Sequence, residues 1–261
     1  MSRYVFWAFT LVCAGIAVLW PPMAQPLSYH DFADCRSLLS VPNFLNVASN
    51  LPFLLAGALG LARVISTSSR FIDARERLPY IVFFLGALLT CFGSMYYHWA
   101  PDNARLVWDR LPMTMAFAGL VAAVLSERED LGLGQRAFWP VLIIGAGSVF
   151  WWYATERRGV GNVIPYGVFQ GWAIVAVLAL LLNGRPSRYT HLGGLWWAVA
   201  LYAGAKFFET FDLAVYRALG ATVSGHTIKH LIAAAAVYAI ARMLLERSPA
   251  APAPAGAAKL A

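Results

Sequence analysis

Long apolar runs constrain this chain more than any other feature. Eight stretches, at about residues 4–21, 43–62, 78–99, 107–127, 136–155, 163–183, 190–210 and 226–245, are dominated by Leu, Val, Ile, Ala, Phe and Trp. A helix needs roughly 20 such residues to cross a bilayer. Only helices and closed barrels satisfy their backbone inside lipid, and runs of this length without alternation read as helices. The rest of the composition agrees: 60% of residues are hydrophobic and 13% charged, where a soluble domain carries about 25% charged. No room remains for a second soluble domain, and no internal repeat is visible. The expected architecture is all-α: a polytopic membrane protein built as a seven-transmembrane-helix bundle (residues 25–247) with one extra N-terminal transmembrane helix (1–24). A disordered Ala/Pro-rich tail (248–261) follows. The first segment has the positive start and apolar run of a signal peptide, but Met23-Ala24-Gln25 is a poor small-x-small cleavage site, so a retained helix is favoured.

Charge sets the orientation. With the body helices numbered 1 to 7, the termini and the loops after helices 1, 3 and 5 hold Arg3, Arg63, Arg70, Arg75, Arg77, Arg128, Arg136, Arg185, Arg188, Arg242, Arg247 and Lys259. The other face holds eight cations against these twelve. The richer face is cytoplasmic. The net charge of +7 is spread along loops and fits anionic lipid headgroups. It forms no nucleic-acid patch, and nothing identifies a protein partner. The Arg-rich, Ala/Pro-tailed composition points to a bacterial protein, hence to the inner (cell) membrane. Cys13, Cys35 and Cys91 form no CxxC pair, so neither a disulfide framework nor a sulfur-ligated metal is indicated.

The polar residues at the helix ends carry the chemistry. His226 and His230 are four apart at the start of the last helix and share one helical face. Ser94 and His98 close body helix 2 with the same spacing, and Asp109 opens helix 3. The end of an even helix and the start of an odd one lie on one membrane face. His98, Asp109, His226 and His230 are therefore expected to meet on the non-cytoplasmic side. Three imidazoles with an open position are the ligand set of a catalytic zinc, although iron or cobalt would accept them too. Intramembrane ionisable residues are functional candidates by default. Asp109 fits a proton acceptor for an activated water, against a plain helix-start carboxylate. Ser94 fits an oxyanion donor, against a hydroxyl bonded to its own helix. Lys229, between the two histidines, is expected on another face, snorkelling to headgroups. The charges gather at one end rather than lining a path across, which disfavours a channel or transporter.

The string Gly93-Ser94-Met95-Tyr96-Tyr97-His98, then Asp109, then His226-Thr227-Ile228-Lys229-His230, resembles the alkaline ceramidase family. So does Pro42-Asn43-Phe44-Leu45-Asn46-Val47-Ala48-Ser49-Asn50-Leu51-Pro52-Phe53 at the first body helix. The likeness runs from about residue 29 to 245. It implies a seven-transmembrane amidase that cuts the N-acyl bond of ceramide, a membrane lipid. Zinc would be held by His98, His226 and His230, with Ser94 and Asp109 serving the water and the oxyanion. The wider superfamily includes adiponectin- and progestin-receptor-like proteins with a related zinc site, so a non-enzymatic, receptor-like role is the competing expectation. A hydrolase of a non-sphingolipid N-acyl lipid is another.

Eukaryotic members of that family bind calcium through an acidic cluster just before the first body helix. Here Asp31 and Asp34 fit two acidic ligands, but Arg36 and Asn43 stand where oxygen ligands are expected. The reading is that the Arg36 guanidinium takes the ion's place by pairing with the aspartates. Glu209 and Asp212, ending helix 6 on the same face, are candidates for orienting ligands or binding a headgroup. Capping the bundle or pairing with Lys206 is the alternative. The acyl chain is expected between helices. Phe150, Trp151, Trp152, Tyr153, Tyr166 and Phe169 are available there, most of them read as interfacial belt.

Overall fold

The computed structural model describes residues 3–66 and 71–250. Their regular structure is helical, with only two isolated bridges (Leu38 with Val41, Tyr189 with Pro249) among the described residues. The helices are α1 (Arg3–Leu19), α2 (Phe44–Ala48), α3 (Leu51–Ile65), α4 (Arg77–Trp99), α5 (Asn103–Arg128), α6 (Leu131–Arg157), α7 (Ile164–Leu181), α8 (Gly193–Thr210), α9 (Asp212–Ala218) and α10 (Gly225–Glu246).

Six segments are long and apolar enough to cross a bilayer: Phe44–Ile65, Ala74–Trp99, Asn103–Arg128, Leu131–Arg157, Ile164–Leu181 and Gly225–Glu246. The other two expected spans are present as helices with weaker credentials. α1 is apolar but has 17 residues, and the 18 residues of α8 include Lys206 and Glu209.

Local chemistry explains where the helices start and stop. Asp102, Asp130 and Ser224 each accept a backbone N–H of the following turn, and so start α5, α6 and α10. α5 and α6 begin four or five residues earlier than apolarity alone predicts, because the capping aspartates lie beyond the apolar run. The first body span is two helices rather than one. Pro52, in the first turn of α3, has no N–H to continue the ladder, and the chain breaks at Ser49-Asn50. α9 is an additional short helix between α8 and α10.

The bundle is an open arc. α8 packs on α10, α10 on α3, α3 on α4, α4 on α5, and α5 on both α6 and α7, while α7 and α8 scarcely meet. α5 is the most enclosed of the spanning helices. The α4–α5 contact is backbone-close. A Cβ on Gly93 would lie 1.9 Å from the Trp108 carbonyl oxygen, so only glycine lets Ser94 and His98 come level with Asp109. Gly225 plays the same part where α10 meets α8, since a Cβ there would lie 2.3 Å from the Phe208 carbonyl oxygen.

Charged residues occupy both ends of the bundle, not one. Opposite the histidines, Arg247 pairs with Glu127, both fully buried, and lies 4.0 Å over the Tyr189 ring. Glu76 beside them pairs with Arg188 at 2.6 Å. These pairs join elements remote in sequence, which spacing cannot show. They also hold the start of the tail. Ser248 and Ala250 bond to Thr190 and Arg188, so residues 248–250 are pinned rather than disordered. The remainder of the expected tail, 251–261, lies outside the described residues.

Candidate metal centre

α4 ends with Ser94 and His98 one turn apart, α5 begins with Asp109 in its second turn, and α10 presents His226 and His230 in its first two turns. Helix polarity brings the three ends together. The three imidazoles are buried, and one ligand nitrogen from each lies within 4.8 Å of the others. All three pairs of ring centroids are 4.9 Å apart.

The donor set fits a metal ion on two observations. His98 Nδ1 is buried with no hydrogen-bond partner in the protein, which is costly for an imidazole. A cation within the cluster would satisfy it. His230 Nδ1 is 2.8 Å from the Ser49 hydroxyl, a pairing that orients the ring and, with Nδ1 donating, leaves the other nitrogen free to ligate. Asn50 Nδ2 lies 3.5 Å from the same atom. The α2–α3 break therefore has a purpose: it turns Ser49 and Asn50 toward the histidines. The signal available in sequence was polar Asn46, Ser49 and Asn50 in an otherwise apolar run.

Asp109 is buried beside the cluster, with Ser94, Lys229 and Arg110 around its carboxyl and the Ser94 hydroxyl placed to donate to it. Asp212 does not touch an imidazole. Its Oδ1 accepts from the His226 backbone N–H at 2.7 Å and its Oδ2 from the Ala33 N–H at 3.0 Å. It thus fixes the ligand helix and the segment before α2. Glu209 accepts from Lys229 at 2.7 Å and from Lys206. Lys229 does not snorkel away as expected: Glu209 draws it inward, and its ammonium lies 3.4 Å from His226 Nε2.

The segment before α2 covers the cluster. The Phe32 ring sits 4.6 Å from the rings of both His98 and His226. His30, which the sequence left without partners, bonds Tyr97 and Asn103. The Arg36 guanidinium holds Asp34 by two hydrogen bonds, 2.8 and 2.7 Å, and reaches the Thr222 carbonyl at 2.6 Å, while the Arg36 backbone N–H donates to Asp34 Oδ1 at 3.1 Å. This hydrogen bonding keeps the buried Asp34 carboxyl below its ordinary range. The expected pairing with both aspartates is corrected here. Asp31 is exposed and stays outside the ion pair. Asn43 is elsewhere too: its Nδ2 donates to the His98 carbonyl at 2.9 Å and ties down the end of α4.

From the cluster a cavity runs into the bundle. Ser94, Asp109, His230, Lys206, Glu209 and Lys229 line its polar end. Along α5 its wall continues through Met113, Ala116, Phe117 and Leu120, about 16 Å below Asp109 at the α-helical rise. α7 and α8 form facing walls with little contact between them. Of the aromatics expected near an acyl chain, Tyr166 lines the cavity, Trp152 and Phe169 are buried, and Phe150 and Trp151 face outward.

A buried three-histidine cluster with an aspartate and a serine, at the end of an apolar cavity in a helical bundle of membrane-spanning length, defines a class: polytopic membrane proteins with a histidine cluster that could hold a metal ion. The chain matches the family model described as Ceramidase over residues 37–247, and it belongs to that family. Membership makes it a hydrolase of amide C–N bonds, with a lipid of the bilayer as substrate. A search of curated proteins finds no match.

Proposed function

We propose that the protein is a zinc-dependent intramembrane amidase that hydrolyses the N-acyl bond of ceramide or a related lipid amide to a fatty acid and a long-chain amine. One observation carries the reading: Ser94, Asp109 and His230 line the polar end of the same cavity whose depth is apolar. His98, His226 and His230 would hold zinc, which when bound supplies Lewis acidity and lowers the pKa of water.

The chain's own groups do the rest. Asp109 takes the proton of the attacking water and returns it to the amine nitrogen as the C–N bond breaks. Once Asp109 has taken that proton it no longer needs the Ser94 hydrogen, and the Ser94 hydroxyl turns its single proton to the oxyanion that develops on the former amide carbonyl. Ser49 holds the His230 ring, and Asp212 holds the backbone that carries His226. Phe32 keeps bulk water from the imidazoles. The acyl chain lies along α5 in a channel about 16 Å deep, enough for roughly a dozen extended carbons. Lipids would enter between α7 and α8.

Calcium has no place in this reading. The Arg36 guanidinium occupies the Asp34 carboxylate, and tightly held calcium that depends on Asp34 would overturn that part. The amidase reading is tested with purified protein in mixed micelles. Equal amounts of fatty acid and amine are expected, abolished by a chelator and restored by zinc. Zinc-loaded protein that releases neither product from any lipid amide would refute it.

A further inference from the structure

The polar end of the cavity holds charges that the hydrolysis does not use. Lys206 of α8 and Lys229 of α10 share one carboxylate, Glu209: Lys229 Nζ lies 2.7 Å from Oε1, and Lys206 binds Oε2. Each oxygen is thus taken by one ammonium, while each ammonium has three donors. Lys229 directs a second donor at His226 Nε2, and Lys206 is half-exposed with two to spare. Within ion-pair distance the cluster sets two positive charges against one negative, and the Asp109 carboxyl, which also acts on Lys229, gives up its charge when it takes the water's proton. Neither lysine has a further acidic partner within ion-pair distance among the described residues. All three line the cavity. A surplus ammonium within a membrane-spanning bundle is expensive, and an anionic ligand group would offset that cost. A hydroxylated, uncharged headgroup would occupy the donors without neutralising the charge.

We propose that Lys206 and Lys229, bridged by Glu209, bind a carboxylate on the amine side of the lipid amide, so that the preferred substrate is an N-acyl amino-acid lipid rather than an uncharged ceramide. This rests on the amidase reading. Lys229 adjoins His230 in sequence and His226 in space, so the bound anion lies only a few bonds from the amide. That spacing suits an α-carboxylate better than a more distant phosphate. With the apolar depth on the other side of the reacting centre, the acyl chain and the headgroup are assigned to opposite ends of one cavity.

The test compares N-palmitoylglycine, its methyl ester, a palmitoyl ceramide and N-palmitoyl phosphoethanolamine on the full-length protein, wild type and Lys206→Met. Lys206→Met leaves Glu209 paired with Lys229, and Lys206→Arg is the rescue control. For the free acid, KM is expected about tenfold below that of the methyl ester. Lys206→Met should raise it about tenfold at unchanged kcat, leave the ester's KM alone, and be rescued by arginine. Equal KM for acid and ester, or a variant that shifts both alike, would overturn the proposal. Stronger use of the phosphate lipid would overturn the carboxylate assignment. If no lipid amide is hydrolysed, the amidase reading fails and thermal stabilisation decides the rim separately. A larger shift with the acid than the ester, lost in Lys206→Met, supports anion binding there; equal shifts refute it.

Discussion

Asp109→Asn is expected to lower lipid-amide turnover by about 10² to 10⁴-fold, the range for removal of a positioned acid–base group, while the protein keeps its fold and its metal. Asparagine has the shape of aspartate and can still accept from Ser94, so the neighbourhood of the carboxyl changes in charge and proton affinity rather than in packing. The loss should fall on kcat, because the carboxylate acts on protons in flight and not on the resting lipid. Steady-state kinetics on zinc-loaded wild type and variant measure it. A loss below about threefold would return Asp109 to the role of an interfacial helix-start carboxylate.

Gly93→Ala is expected to be the most damaging small substitution near the site. The added methyl would meet the Trp108 carbonyl oxygen at 1.9 Å, a backbone atom that cannot rotate away, so α4 and α5 must separate. Overpacking of this kind costs about 1–3 kcal/mol and occasionally more, and a backbone clash belongs at the upper end. Separation also draws His98 and Ser94 away from Asp109, and displacements of about 1 Å in a reacting group cost roughly 100-fold in rate. Gly167→Ala on α7 is the control, because nothing lies within 4 Å of a Cβ there. Thermal unfolding in detergent should show a marked drop in midpoint for Gly93→Ala and little change for Gly167→Ala. Equal behaviour would mean that the helix contact does not depend on glycine.

The sequence made the spans legible because lipid imposes length and apolarity on each helix separately. It made the histidine cluster legible because an i, i+4 pair and helix parity are arithmetic on one chain. Pairings across helices were not legible. Lys229 read as a surface cation until Glu209 of another helix drew it inward. Glu127 and Arg247 are 120 residues apart, and neither position alone announces the other. Ser49 and Asn50 stood in the sequence as polar residues within an apolar run, and only the break at Pro52 aims them at His230. Asp31 and Asp34 looked equivalent by spacing, but one is exposed and the other buried, so Arg36 distinguishes them.

The central claim is a metal centre built by His98, His226 and His230. Metal content of the purified full-length protein and of His226→Ala, measured by elemental mass spectrometry, tests it most directly. The account predicts about one zinc per wild-type chain, little or none in the variant, and no stoichiometric calcium in either, as three neutral imidazoles and an occupied Asp34 require. Wild-type protein without stoichiometric metal after zinc loading, or a variant that retains it in full, would contradict the account.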